Sequence, residues 1–346
     1  MRPLPSPRPG VLVALVAVLA ALLSGCVSGE NTDGSVGAPP PGGTTVKLDY
    51  AYYNPLSLVI KEQGWLEQEF GPGSVQWVLS QGSNKANENL RARVIDIGST
   101  AGTPALLARA NGSPIKAIDV YSRPEWSAIV VRANSPITQP AQLRGLRVAA
   151  TQGTDPYFFL QQTLAGAGIP AGGTEIVNLQ HADGRQALER GDVDAWAGLD
   201  PLMAQSELQA GSKLIYRNLD FQSYGLLNAD ERFLAEKPQV AASVVRAYER
   251  ARAWIRENPQ AAVTTLARAA NIPPQVASRQ LLERTQIDID PVPGDPQRAV
   301  LGRLVPLLVS GGQVRSEAEV RTALDTLFEP TLATQARGTT SAGTPS

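Results

Sequence analysis

Short runs rich in apolar and β-branched residues recur along the first two thirds of the chain, at Lys47–Tyr53, Val75–Ser80, Val94–Ser99, Ile115–Tyr121 and Ala128–Arg132. A second series follows at Arg147–Thr151, Ile176–Gln180, Val193–Leu199 and Lys213–Arg217. The stretches between them carry apolar residues at helical spacing. This alternation predicts an α/β fold with largely parallel sheets. After one more predicted strand at Ser223–Asn228 the pattern becomes helical throughout. The segments Pro238–Asn258, Pro259–Asn271, Pro273–Thr285, Pro296–Ser310 and Ser316–Thr331 each open with Pro, which fits a first helical turn, or with Ser, which fits an N-cap.

Several predicted strands run straight into a polar residue and a proline, at Asn54-Pro55, Thr103-Pro104, Asp155-Pro156 and Asp200-Pro201. Each pair predicts a helix that starts directly off a strand's carboxyl end, with the polar residue as its cap. In open α/β sheets that edge is where ligands bind, and helix starts there offer free N–H groups and partial positive charge. The segments "VIDIGSTAGTPALLA" and "DVDAWAGLDPLMAQ" echo one another weakly, each a strand bearing Asp, then a turn and a Pro-started helix. Two lobes of similar plan would give that echo.

The N-terminus changes the picture. Arg2 and Arg8 precede an uncharged run from Val11 to Leu23, then the small pair Ser24-Gly25 and Cys26, the only cysteine of 346 residues. A lone cysteine forms no internal disulfide. The apolar run is short for a membrane span and has the form of a secretion signal. Leu23-Ser24-Gly25-Cys26 resembles the lipobox of bacterial lipoproteins, which implies cleavage before Cys26 and acylation of that residue, an anchor on the outer face of a membrane. Val27 to Thr45 is Gly-, Ser- and Pro-rich and reads as a flexible tether. Removing residues 1–25 leaves 29 Lys and Arg against 32 Asp and Glu, which is no nucleic-acid binder's charge.

The body between tether and tail is long enough for two cores. Catalytic chemistry has little to work with. His181 is the only histidine, in "LQHADG", where it reads as a structural or rim residue, and there is no CxxC, Walker sequence or GxGxxG. No metal or cofactor is expected.

Four segments carry a family likeness: "HADGRQALERGDVDAWAGLDP" (181–201), "LRGLRVAATQGT" (143–154), "RVIDIGSTAGTPALLARA" (93–110) and "AIVVRANSPITQPAQLRG" (128–145). They resemble the periplasmic solute-binding proteins of ABC importers for aliphatic sulfonates, taurine and nitrate. The resemblance implies a two-lobed periplasmic-binding-protein architecture of type II, with a ligand cleft between the lobes and hinge strands near Val130 and Tyr224. The expected division is a signal peptide at 1–25, lipidated Cys26 and tether at 26–45, lobe one at 46–132 plus 223–333, lobe two at 133–222, and a disordered tail at 334–346. The implied partners are a small organic anion, most readily an alkyl or aryl sulfonate, an ABC permease and its ATPase, and the membrane through the lipid. A monomer is expected. Nitrate, taurine, and pyrimidine or thiamine precursors are alternative ligands; an extracellular sensing domain and a lyase sharing the fold are alternative classes. Leu199 stands where many members have an aromatic residue, and Tyr157 where sulfonate binders often have His.

A sulfonate is an ionised, acceptor-only group, so its site needs donors. Ser99, Thr100, Ala101, Gly102 and Thr103 in one lobe, and Gly153 and Thr154 in the other, combine small side chains with hydroxyls and are the first candidates. Gln81, Gly82 and Ser83 end the second strand and add amide and hydroxyl donors. Tyr53 and Asn54 end the first strand; Tyr53 equally fits packing on Trp126. Trp126 and Tyr157 supply rings against a ligand chain, and Lys85 and Arg123 are the nearest cations. Asp200 either caps the helix after Pro201 or accepts from an ammonium or hydroxyl on the ligand; Asp155 carries the same ambiguity.

Overall fold

A computed structural model describes residues 45–341. Cys26, the signal sequence and most of the tether lie outside the described residues. Within them, eleven strands build two sheets, β1 (Val46–Tyr50), β2 (Val75–Leu79), β3 (Ile97–Ala101), β4 (Ile115–Pro124), β5 (Ile129–Val131), β6 (Arg147–Ala150), β7 (Glu175–Asn178), β8 (Ala195–Ala197), β9 (Lys213–Tyr216), β10 (Gly225–Asp230) and β11 (Thr285–Gln286). One sheet has the order β11-β4-β10-β3-β1-β2, the other β7-β6-β8-β5-β9.

The sheets are mixed rather than largely parallel. β1 pairs in parallel with β2 and β3, and β6 with β7 and β8. β10 runs antiparallel to both β3 and β4, and β5 to both β8 and β9. The reversed strands are the ones beside the two crossings between sheets, β5 just after the first and β10 just after the second. A chain that has just changed sheet enters the new one from the opposite end, and a period-2 pattern does not record direction.

The helices that matter below are α1 (Pro55–Gln63), α2 (Ser83–Arg91), α3 (Gly102–Ala110), α4 (Asp155–Gly166), α5 (His181–Arg190), α6 (Leu202–Ala210), α7 (Pro238–Glu257), α8 (Pro259–Ala269), α9 (Asp295–Gly302), α10 (Val305–Ser310), α11 (Glu317–Thr326) and α12 (Thr331–Ser341). The Pro-initiated helices α7 and α8 begin at their prolines. The segment expected as one helix from Pro296 is two, α9 and α10, separated at Arg303-Leu304. The segment from Pro273 gives a short helix, a five-residue π turn at Arg279–Glu283, and β11. The tail expected to be disordered from 334 is helical to Ser341, because Ala333 and Ala336 bury themselves in the core beside α7.

Three main apolar clusters hold this together. One joins β1 and β3 to α1, α7 and α8, with Leu56, Ile60, Val244 and Leu266 at its centre. A second packs Trp196 with Val130, Ala149, Leu188 and Met203 in the other sheet. The third takes residues from both sheets, Val120 and Leu226 from one, Val131 and Val148 from the other, and ties them to Phe158 of α4 and to Leu301, Leu304 and Val305 at α9 and α10. Burial at about 25 cal/mol per Å² of apolar surface makes such clusters the main favourable contribution to folding. Trp65 belongs to the first cluster and Trp196 to the second, both as core residues.

Candidate functional site

Four strand-to-helix junctions from the two sheets meet at one pocket. Its walls are Tyr53, Ser83, Ala101, Trp126, Thr154, Asp155, Pro156, His181 and Leu199. Ser83 opens α2, Ala101 precedes α3, Thr154 precedes α4 and His181 opens α5. The first two follow strands of one sheet and the last two strands of the other. None of these four helices has a side-chain cap, so the first-turn N–H groups at their starts have no local side-chain acceptor.

The start of α3 is satisfied from elsewhere in the chain. Ser223 Oγ accepts from the backbone N–H groups of Gly102 at 2.8 Å and Thr103 at 3.2 Å, and Ser83 Oγ accepts from Ala101 N–H at 2.9 Å. Ser223 Oγ in turn donates to Asp155 Oδ1 at 2.9 Å, while its own backbone N–H donates to Asp155 Oδ2 at 2.8 Å. Trp126 Nε1 donates to the same Oδ2 at 3.1 Å. The Ser223 hydroxyl therefore takes the donors of α3 that a free anion would use, and the Asp155 carboxylate stands behind it. Burial raises the Asp155 pKa above the ordinary carboxylate value, and the hydrogen bonds from Ser223 and Trp126 act against that rise. Helix α4 opens on Asp155 itself, whereas the starts of α2 and α5 bring no carboxylate into the pocket wall. Ser83 accepts through Oγ, which leaves its hydroxyl proton to be donated.

Aromatic and apolar groups complete the walls. Tyr53 meets Trp126 edge to face, ring centroids 6.1 Å apart and 79° between planes, and its hydroxyl donates to Ser99 O at 2.9 Å. Leu199 and Pro156 add apolar surface. The walls close on one another and leave a cavity of only about 10 Å³, far below the roughly 300–1,000 Å³ usual for a drug-sized ligand. That is room for about one water, so a ligand enters only when the walls draw apart.

Other expected site residues lie elsewhere. Asn54 is fully buried; it accepts from Ser57 N–H as the cap of α1 and donates through Nδ2 to Tyr248 Oη. Of the four expected caps, it and Asp200 accept first-turn N–H groups of the helices they precede. Ser99 binds Asp49 through its backbone N–H and its hydroxyl, and Thr100 Oγ1 accepts from Asn228 Nδ2. Gln81 is exposed. Gly82 lies beside the pocket, against the His181 ring, and Gly153 lies against Asn84. Tyr157 packs edge to face on Phe158, and its hydroxyl accepts from Gln161 Nε2 one turn along α4. Lys85 pairs with Glu88 and Arg123 stacks on Tyr224.

Asp200 faces away from the pocket, into a buried ion-pair cluster. Arg284 Nη1 lies 3.3 Å from both of its oxygens, Ala204 N–H donates to Oδ1, and Arg284 Nη2 binds Glu207. Burial raises the Asp200 pKa to about 6 against the pull of Arg284. The helix after it starts at Leu202, so the Asp200 carboxylate takes one of its first-turn N–H groups, that of Ala204, as well as the arginine. The residues that sequence reasoning passed over are His181, Asp155 in its role beside Ser223, and Ser223 itself. Only His181 left a visible trace, as the sole histidine at a strand-to-helix junction.

Comparison with known proteins bears on this architecture. The family model described as NMT1/THI5 like matches residues 58–262, more than half of the chain. The chain belongs to that family. Two curated relatives, each named as an aliphatic sulfonates-binding protein, match this NMT1/THI5-like chain. The one from Escherichia coli (strain K12) is 29% identical over 237 residues, 68% of this chain and 74% of the relative. The one from Bacillus subtilis (strain 168) is 26% identical over 254 residues, 71% and 74%. The alkanesulfonate-binding protein SsuA from Xanthomonas axonopodis pv. citri, solved bound to MOPS, superposes with a TM-score of 0.73 at 23% identity, covering 83% of this chain and 99% of that one. The nitrate-binding protein NrtA from Synechocystis PCC 6803 superposes with a TM-score of 0.71 at 14% identity, covering 87% and 90%. At those identities the likeness establishes the fold, the two-lobed periplasmic-binding-protein architecture.

Proposed function

We propose that this chain is the extracytoplasmic solute-binding protein of an ABC importer, that it closes on a small organic anion, and that the anion is a short alkyl or aryl sulfonate. It binds and does not catalyse, as the names of both curated relatives imply. The observation that carries the reading is the meeting of two uncapped helix starts, those of α2 and α5, at a pocket walled by Tyr53 and Trp126. A helix start contributes about 0.3–1 kcal/mol to an exposed anion and up to ~2 when partly buried. No single one holds a sulfonate firmly, whereas two, one from each lobe, do so together with the hydroxyl donor of Ser83 once the lobes come together. In this reading lobe one is 46–132 plus 223–333 and lobe two is 133–222. Cys26 carries the acyl anchor after loss of residues 1–25, and the monomeric protein delivers its ligand to a membrane permease driven by an ATPase.

The test is isothermal titration calorimetry of the full chain in detergent against ethanesulfonate, benzenesulfonate, taurine, nitrate and sulfate. Saturable binding of a sulfonate with the tightest affinity of the panel is expected. Tightest binding of nitrate moves the ligand class, and no binding by any member sinks the reading. Cell fractionation of Cys26→Ala is expected to move the protein from membrane to soluble fraction; unchanged fractionation removes the anchor.

A further inference from the structure

His181 is 2% exposed and its ring stands in the pocket wall. Nδ1 lies 3.1 Å from Thr151 Oγ1. The single proton of that hydroxyl goes to Leu179 O at 2.7 Å, so the hydrogen between Thr151 and His181 must sit on Nδ1. The tautomer is thereby fixed by a residue behind the ring. The other nitrogen, Nε2, is buried without a hydrogen-bond partner. It lies against Gly82, on the far side of the gap between the sheets, where a built Cβ would come within 3.0 Å of it. In the neutral ring, Nε2 therefore offers a lone pair to a pocket that the starts of α2 and α5 make attractive to anions. A lone pair and an acceptor-only anion repel one another. The contact becomes favourable only when Nε2 carries a proton.

Resting on the sulfonate reading above, we propose that His181 is a ligand contact and that the pocket takes up its anion together with one solvent proton, which Nε2 holds and donates to a sulfonate oxygen. The empty pocket keeps the ring neutral, since burial lowers its pKa to about 3. A hydrogen-bonded anion at Nε2 favours the charged form and shifts it back upward. The ionisable neighbours leave this role to the ring. Asp155, at the start of α4, and Tyr53 share the pocket wall, but the Asp155 oxygens are engaged by Ser223 and Trp126 and the Tyr53 hydroxyl by Ser99 O. Lys85 of α2 pairs with Glu88, Glu207 of α6 with Arg284, and Arg147 of β6 with Glu175. On α5 itself, Arg185 pairs with Glu189 and Arg190 with Asp192, and Asp183 stands in the first turn.

Because the chain has one histidine, imidazole nitrogen NMR on the untagged full chain in detergent reads this ring alone. With no addition at pH 6, the neutral form protonated on Nδ1 is expected; with saturating ethanesulfonate, the imidazolium. Calorimetry of ethanesulfonate in two buffers of different ionisation enthalpy is expected to report uptake of one proton. Affinity is expected to fall about tenfold per pH unit between pH 3 and the pKa of the liganded ring. His181→Gln, which keeps an N–H donor but does not titrate, is expected to flatten that dependence. Ethanesulfonate binding with the ring still neutral and no proton uptake overturns the inference and leaves the sulfonate site standing. The same pH dependence in His181→Gln also overturns it and moves the titration to Asp155. Failure of ethanesulfonate to bind at all overturns both readings.

Discussion

Trp126 Nε1 donates to Asp155 Oδ2 at 3.1 Å, which ties the first crossing between the sheets to the start of α4. Ser223, beside the second crossing, binds both oxygens of the same carboxylate. Both connections between the lobes therefore converge on Asp155, and the pocket is built where they do.

Trp126→Phe keeps most of the ring contact with Tyr53 and removes one hydrogen bond to a buried carboxylate. Such bonds are worth roughly 1.5–3 kcal/mol. A loss of about that size is expected in urea unfolding of the unliganded protein. An unchanged midpoint would mean that Ser223 alone holds Asp155.

Gly82 has an extended backbone, φ −178°, that any residue adopts. A Cβ there would stand 2.8 Å from Asn84 Oδ1 and 3.0 Å from His181 Nε2. Gly82→Val is expected to weaken sulfonate binding at least tenfold by filling the space in front of Nε2, at a cost of at most about 1–3 kcal/mol to unliganded stability, since the near contact on its own helix is the movable end of the Asn84 side chain. Gly102→Ala is a contrast. Its Cβ would lie 3.2 Å from Leu301 and 3.3 Å from Ser223, so the variant is expected to lose about 1–3 kcal/mol of stability. Equal behaviour of the two in calorimetry and unfolding would contradict this geometry.

Arg284 compensates two acids, Asp200 and Glu207, in a cluster where Arg284 and Asp200 are almost wholly buried. Removing one partner of a buried pair strands the other charge and costs about 3–5 kcal/mol. Arg284→Met is expected to fall in that range by chemical denaturation. Asp200→Asn is expected to leave sulfonate affinity unchanged, since Asp200 is not in the pocket wall; a drop in its calorimetric affinity would bring Asp200 into the site.

Asp49 is fully buried beneath Ser99, and burial raises its pKa from 3.8 to about 7. The folded protein then holds a proton that the unfolded chain has lost between those values, so the contribution of this group to stability falls as pH rises from about 4 to 7. Asp49→Asn keeps an acceptor for Ser99 and removes the titration. Its stability relative to the natural chain is expected to improve across that window, by a few kcal/mol at most. His181 works in the opposite sense. Its lowered pKa makes the unliganded fold lose stability as pH falls from about 6.5 toward 3. Difference curves for Asp49→Asn and His181→Gln, measured by urea unfolding from pH 4 to 8, are expected to slope in opposite directions; parallel curves would refute the assignment.

The elements were most legible where the signal is local. Helix α7 was expected over Pro238–Asn258 and runs over Pro238–Glu257, because a first-turn proline and a long amphipathic period need no distant partner. Strand direction was not legible, since β5 and β10 owe theirs to the crossings. The site divides in the same way. Ser83, Ala101 and Thr154 were visible as small residues at strand ends. The prolines after Asp155 and Asp200 predict caps; Asp155 binds a distant partner instead, while Asp200 takes the Ala204 N–H of its own helix and a distant arginine besides. Ser223 is 68 residues from Asp155, and Arg284 is 84 from Asp200. His181 was discounted because its neighbours, Thr151 and Gly82, come together only in the fold.

The carboxylate that Asp155 sets beside α3 has a consequence for admission. A visitor arriving with two negative charges meets a sitting tenant of like sign, whereas a singly charged one is offered the starts of α2 and α5 and less opposition. Sulfate should therefore compete poorly with ethanesulfonate in a displacement titration, although their oxygens are alike, and discrimination would rest on valence rather than shape.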